Sequence, residues 1–120
     1  MKDRREFERV EYHVEMTCNH VIKPDGSDVT LKTPARMVML DLSIGGIGIV
    51  SDIDFELSSI LTFTLYLEKV PHTIMARVQW KAIKGEMCQC GLEFIGTPNQ
   101  LFRQLQKIIK EKHTVFIEYA

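Results

Sequence analysis

The chain has 120 residues, a length that suits one domain able to bury most of the surface that its unfolded form exposes. Apolar residues make up 45% and charged residues 26% of it, the balance of an ordinary globular protein rather than of a disordered or membrane one. The net charge of −1 excludes a strong overall field that would attract a polyanion.

The N-terminal segment, residues 1–9, contains the densely charged stretch RREFER. Its three arginines are interleaved with Glu6 and Glu8, so it offers no continuous basic stripe for a nucleic acid. Arginine is nevertheless the residue that forks onto phosphates or onto the O6 and N7 edge of guanine. Because Phe7 is the only large apolar side chain after Met1, we expect this segment to be flexible without a ligand.

The region from 10 to 96 alternates apolar and polar residues with a period of two, which predicts β-strands. Residues with turn chemistry separate the alternating runs, and about six strands with short connections favour a small antiparallel barrel or sandwich. The predicted strands are 10–18, 36–42, 47–50, 60–69, 74–81 and 88–94.

The alternation also predicts which side chains face the interior. In the second strand these are Val38, Leu40 and Leu42, and in the fifth strand the inward set includes Trp80. Residues 70–72 are predicted to break the chain between the fourth and fifth strands, and residues 84–86 to form the last hairpin turn.

One amphipathic helix is predicted at 97–113. Thr97, Pro98 and Gln100 match a capping box with proline at the first helical position. The apolar stripe is expected to pack on the core, and it consists of Leu101, Phe102, Leu105, Ile108 and Ile109. Residues 114–120 remain as an unplaced tail of the single domain 1–120.

Signals for an enzyme, a metal site or a membrane segment are weak. The four histidines are scattered, and Cys88 and Cys90 form a single C-x-C without a second pair of ligands. Apolar runs fall far short of the about 20 residues that span a bilayer, and no signal-peptide core is evident. We therefore expect a cytoplasmic protein with no catalytic residues, metal or cofactor.

The segment DLSIGG, residues 41–46, is the second candidate for ligand binding. It lacks the lysine of a phosphate loop and leads into a strand, so a tight turn is the basic interpretation. Asp41 and Ser43 can point to the same side of the chain, and Gly46 lets the backbone approach a ligand closely.

Together the two segments resemble the PilZ domain family, bacterial receptors for cyclic di-GMP. The family pattern R-x-x-x-R before the first strand matches Arg5 to Arg9, and its [D/N]-x-S-x-x-G matches Asp41 to Gly46. The stretches ARVQW and CGLEFIG also resemble later strands of the family. The resemblance implies an all-β fold with a C-terminal helix, namely a six-stranded antiparallel β-barrel capped by one α-helix.

The resemblance also implies roles for individual residues. Arg5 and Arg9 would bind the phosphates and guanine edges of cyclic di-GMP, Asp41 and Ser43 would bind or orient a guanine, and Gly46 would allow a close approach. Arg4 stands where the family often has a further arginine, associated with a stacked pair of ligand molecules.

The resulting hypothesis is a non-enzymatic receptor or adaptor that passes the signal to an unidentified protein of the motility, secretion or exopolysaccharide machinery. Homodimerisation is left open. The alternative is a PilZ-like protein-interaction module that no longer binds cyclic di-GMP, which Glu6 and Glu8 favour. A barrel for single-stranded nucleic acid would need a basic, aromatic face, which the net charge and the predicted inward positions of Trp80 and Phe94 disfavour.

Overall fold

The chain folds into a closed six-stranded antiparallel β-barrel with one C-terminal helix, which confirms the predicted fold class. The structure is a computed structural model and describes residues 9–119 of the chain. The elements are β1 (Val10–Ile22), β2 (Asp28–Leu42), β3 (Gly46–Ser51), β4 (Ile60–Leu67), β5 (Val70–Lys84), β6 (Met87–Phe94) and α1 (Asn99–Tyr119). Around the barrel the strands follow the order β1-β2-β3-β6-β5-β4, and β1 closes the barrel on β4.

The interior is filled by the inward residue of each alternating pair, as the period of two predicts. The β6 residues Cys88, Cys90, Leu92 and Phe94 are all buried, which confirms their predicted face. At one end the apolar stripe of α1 completes the core through Leu101, Leu105, Ile108 and Ile109. Phe102, predicted to belong to that stripe, is 37% exposed because it lies on the flank of the helix.

The predicted inward face of β2 is wrong for Val38, and Leu40, which lies at a register shift, is only half-buried. The Val38 side chain is 36% exposed, and its neighbours Met37 and Met39 are buried instead. A register shift between Met39 and Asp41 then inserts one residue, so that Leu42 points inward again. Both faces of this strand are apolar, and a bulge reverses the alternation at a point that periodicity does not mark.

The predicted inward position of Trp80 is also wrong. A register shift between Val78 and Trp80 adds a residue to β5, and Trp80 emerges on the outer face, 37% exposed. There it pairs with Gly91 of β6.

The turn between β4 and β5 lies earlier than the predicted break at 70–72. Leu67 pairs directly with Val70, and the two residues between them, Glu68 and Lys69, have φ angles of 50° and 70°. These positive values belong to a two-residue hairpin turn of the primed type, which is usually formed by Asn and Gly rather than by Glu and Lys. The sequence therefore lacks the Asn-Gly type of dipeptide that would have marked this turn.

The helix α1 runs beyond its predicted end. It begins at Asn99, with the Phe102 N–H donating to the Pro98 carbonyl, and continues to Tyr119, so residues 114–119 are helical rather than a separate tail. No glycine or proline follows Pro98 to end the helix.

One buried polar bridge fixes α1 to the β4–β5 hairpin. The Gln104 amide donates to the Leu67 carbonyl at 2.7 Å, and its oxygen accepts from Nε2 of the buried His72 at 2.5 Å. The bridge satisfies polar groups that would otherwise be buried without partners.

Candidate functional site

The site begins with an ion pair between the two predicted motifs. The Arg9 guanidinium donates from Nη1 to Asp41 Oδ1 at 2.7 Å, and the two side chains are 21% and 36% exposed. Arg9 immediately precedes β1, and Asp41 lies near the end of β2, where Glu11 pairs with it. The antiparallel pairing of β1 with β2 thus unites residues 32 positions apart in the chain.

A second contact orients the Asp41 carboxylate. Its Oδ1 also accepts a hydrogen bond from the backbone N–H of Gly48 on β3, at 3.1 Å. A methyl group at Gly48 would lie 2.8 Å from that oxygen, so only glycine leaves room for the carboxylate in this position. The sequence analysis did not assign Gly48 to the site.

Asp41 belongs to a row of paired residues that crosses four strands on the outer face. Asp41 pairs with Gly48, Gly48 with Gly91, and Gly91 with Trp80. The Trp80 indole lies against Gly91, where an added Cβ would stand 2.0 Å from the ring nitrogen Nε1. The row therefore has an acidic side chain at one end, an aromatic ring at the other and two glycines between them.

The row was not predicted, since the bulge at Val78–Trp80 brings the indole to this face. One sequence signal could have suggested it. A glycine inside a strand often marks a close approach of another group, and both Gly48 and Gly91 interrupt apolar strands.

Ser43 shapes the turn that follows Asp41. It is buried, and its hydroxyl donates to the Gly46 carbonyl and accepts from the Gly45 N–H, both at 3.3 Å. The Ser43 N–H also donates to the Gly46 carbonyl, at 2.9 Å. In this structure Ser43 thus acts on the turn, and its predicted contact with a ligand stays a prediction.

Gly46 has a clear reason to be glycine. A Cβ at this position would lie 1.9 Å from the Leu92 carbonyl oxygen of β6, so the close approach is between two strands of the barrel. An approach to a ligand at Gly46 stays a prediction.

The remaining predicted site residues, Arg4 and Arg5, lie outside the described residues, as does the rest of the predicted flexible segment before Arg9. The structure therefore unites Arg9, Asp41 and the turn of Ser43 and Gly46 at one end of the barrel wall.

A broad groove of about 1190 Å³ lies elsewhere on the wall. Its lining includes Glu15, Arg36, Val38, Asp52 and Tyr66, but none of the predicted site residues. The groove mixes charges of both signs and contains no residue of the two predicted motifs. We therefore place the candidate site at the row from Asp41 to Trp80 rather than in the groove.

Two further features bear on the class of protein. Within the described part of the chain, no group of three or more His, Cys, Asp or Glu side chains is arranged to bind a metal. Among the described residues, no helix combines the length and the apolar character that crossing a membrane requires.

Comparison with known proteins identifies relatives of this fold. The profile of the PilZ domain matches residues 3–111, whereas a comparison with curated proteins finds no match. The structure of Escherichia coli YcgR in complex with c-di-GMP has a TM-score of 0.67 at 19% identity and covers 98% of this chain, which spans 49% of the YcgR chain. The isolated PilZ domain of YcgR with c-di-GMP has a TM-score of 0.62 at 19% identity and covers 98% of both chains.

A Bacillus subtilis protein, the inhibitor of motility MotI/DgrA, is similar as well. Its TM-score is 0.60 at 18% identity, and the match covers 94% of this chain and 52% of that one. The chain therefore spans about half the length of the larger relatives, and at these identities the likeness is one of fold.

Proposed function

Because the chain belongs to the PilZ domain family, we propose that it is a receptor for cyclic di-GMP, whose guanines and phosphates bind at the row from Asp41 to Trp80 and at the arginines before β1. The observation that carries the proposal is the ion pair of Arg9 with Asp41, which joins the two motifs on one surface. The presence of c-di-GMP in the YcgR structures supports this choice of ligand.

The ion pair matches the chemistry of a guanine edge. It presents a guanidinium donor beside a carboxylate acceptor, whereas guanine presents its O6 acceptor beside the N1–H and N2–H₂ donors. Arg9 can therefore bind O6 or N7 while Asp41 accepts from the ring N–H and the exocyclic amine. Because Gly48 N–H already fixes the carboxylate, little ordering of Asp41 is needed when the ligand binds.

We extend the proposed site to Trp80. Its indole is partly exposed at the other end of the row, where Gly91 leaves room for the ring to lie against the barrel wall. Stacking of a base on an aromatic side chain contributes about 1–3 kcal/mol. A dinucleotide with two guanines can use both ends of the row.

Ligand binding is proposed to order the segment 1–9 against the barrel. Arg5 would join Arg9 on the phosphates, and Arg4 would contact a second ligand molecule if a stacked pair binds. The ordered segment would change the surface offered to a downstream protein, with the motility, secretion or exopolysaccharide machinery as the expected source of that partner. In this proposal the protein acts by binding and not by catalysis.

The alternative is a PilZ domain that binds proteins and no cyclic di-GMP. Glu6 and Glu8 favour it, because two carboxylates between the arginines oppose a dianionic ligand. Screening by salt over about 10 Å limits this effect at exposed positions.

Titration calorimetry with cyclic di-GMP separates the two. We expect wild-type protein to bind in the micromolar range, about 8 kcal/mol of binding free energy, and the Arg9→Ala variant to bind at least tenfold more weakly. The matched control is Arg103→Ala, which removes the same charge from the exposed face of α1. No heat for wild type, or equal affinities for wild type and Arg9→Ala, would overturn the proposal.

A further inference from the structure

Two cysteines of β6 lie in sulfur contact inside the barrel. Cys88 and Cys90 are 2% and 0% exposed, and their Sγ atoms are 3.5 Å apart. Both thiols are free, as is that of Cys18 on β1. No part of the proposed ligand site uses this pair.

The pair is the inner end of a hydrogen-bonded chain that leads to the surface. Cys88 Sγ donates to Asp54 Oδ1 at 3.8 Å, and Lys81 Nζ donates to the same oxygen at 2.8 Å. Burial, and the hydrogen bond to Cys88, raise the pKa of Cys90 to about 12. Cys90 therefore keeps its proton. Cys88 is the sulfur that contacts the exposed Asp54 side chain.

Access to Cys88 depends on the Lys81–Asp54 ion pair. These side chains are 28% and 60% exposed. An exposed ion pair stabilises a protein only weakly, so this one can open and admit a small reagent to Cys88.

We propose that Cys88 and Cys90 form an oxidisable dithiol, which a peroxide converts into an intramolecular disulfide. The Cys88 thiolate attacks one peroxide oxygen, the O–O bond breaks, and the leaving hydroxide takes up the thiol proton to form water, with Cys88 now a sulfenic acid. The Cys90 sulfur then attacks the Cys88 sulfur, and the sulfenic hydroxyl leaves with the Cys90 proton as a second water. In sum, two thiols and one hydrogen peroxide give one disulfide and two waters.

The disulfide must distort β6. Residues two apart in a strand have Cα atoms about 6.6 Å apart, near the upper end of the range for disulfides, and the sulfurs must approach from 3.5 Å to bonding distance. Cys90 is followed directly by Gly91, against which the Trp80 indole packs. Oxidation therefore shifts the surroundings of Trp80, the single tryptophan of the chain, whether or not the protein binds cyclic di-GMP.

The experiment treats the full chain with hydrogen peroxide in the absence of any nucleotide. We expect free thiols, counted after denaturation, to fall from the three of the sequence to one, with the protein still monomeric on a non-reducing gel. Peptide mass spectrometry should locate a Cys88–Cys90 disulfide with the loss of two hydrogen atoms. Trp80 emission should change in parallel and recover when dithiothreitol is added.

The control is Cys18→Ala, which removes the third thiol and should leave the disulfide and the change of emission intact. Cys88→Ala and Cys90→Ala should each abolish both. A disulfide that involves Cys18 or a second chain, three unchanged thiols in wild type, or sulfinic acid without a disulfide would each overturn the proposal. Because mass spectrometry reads wild-type protein directly, the conclusion stands even if a variant does not fold.

Discussion

The guanidinium of Arg9 lies 2.7 Å from the Asp41 carboxylate, although 32 residues separate them in the chain. The pairing of β1 with β2 brings them together, and the Gly48 N–H on β3 holds the same carboxylate oxygen. Three chain segments thus orient one acidic group at the surface.

Asp41→Asn tests the acceptor role of this group. The amide keeps the shape but turns a donor toward the guanine and loses the charge, so cyclic di-GMP should bind roughly tenfold to a hundredfold more weakly in titration calorimetry. Asp52→Asn is the matched control, since Asp52 also accepts a backbone N–H, that of Arg36, at 2.9 Å, but lies in the groove lining. If Asp41→Asn binds cyclic di-GMP with unchanged affinity, the Asp41 carboxylate does not contact the ligand.

Gly48→Ala and Gly46→Ala should fail in different ways. At Gly48 the new methyl group meets a side-chain oxygen that can move, so folding should persist while cyclic di-GMP binding is lost with the displaced Asp41 carboxylate. At Gly46 it meets the Leu92 backbone carbonyl, which should destabilise the barrel by about 3 kcal/mol, or roughly 10 °C in Tm. Thermal unfolding measures the stability of both variants, and titration calorimetry measures their affinity for cyclic di-GMP. An equal loss of stability in the two variants would contradict the prediction.

Trp80 should report ligand binding directly. As the single tryptophan, its emission should be quenched on titration with cyclic di-GMP if a guanine stacks on the indole. Trp80→Leu should weaken binding by about 1–3 kcal/mol, roughly 5-fold to 150-fold. Tyr66→Leu, which removes an aromatic ring 53% exposed on β4, should bind as wild type does. If the ligand quenches Trp80 emission but Trp80→Leu binds cyclic di-GMP as tightly as wild type, the ligand lies near the indole without stacking on it.

Cys90 should make the barrel sensitive to alkali. Burial, with the hydrogen bond to Cys88, raises its pKa from an ordinary value of 9.0 to about 12. Below pH 9 both the folded and unfolded states keep the proton and the thiol contributes its full stability. Between pH 9 and about 12 only the unfolded state releases it, so the free energy of unfolding should fall as the pH rises through this range.

Urea unfolding under reducing conditions at a series of pH values measures this slope. The Cys90→Ala variant should lose stability less steeply than wild type over the same range, because lysines and tyrosines titrate in both proteins and cancel in the difference. Parallel curves for the two proteins would exclude Cys90 as a source of alkaline instability.

Much of the fold followed from the sequence because the signals are local. The period of two gave the strands, the spacing of Leu101, Leu105 and Ile108 gave the buried face of the helix, and Gly85 marked the last hairpin with a φ of 64°. The sequence predictions fail where the chain departs from regular strand geometry and no characteristic residue type marks the departure. Glu68 and Lys69 adopt positive φ angles that neither residue type favours.

The candidate site was predictable only in part. Arg9 and Asp41 were identified from motif spacing, and the structure places them in contact. Gly48, Gly91 and Trp80 were missed because their relationship spans four strands and depends on register. Arg4 and Arg5 stay predictions.

The extra residue in β5 has a consequence for how the barrel can vary. Before the bulge, the even-numbered residues of β5 from His72 to Val78 point to the interior, whereas beyond it the even-numbered Trp80 stands on the wall and Lys81 shares the side of Cys90. The strand thus changes parity between its two halves. The core-facing residues of β5 therefore come from the stretch before the bulge, whereas Trp80, its contribution to the outer row, comes from the stretch after it. Substitutions in one stretch need not change the strand register of the other.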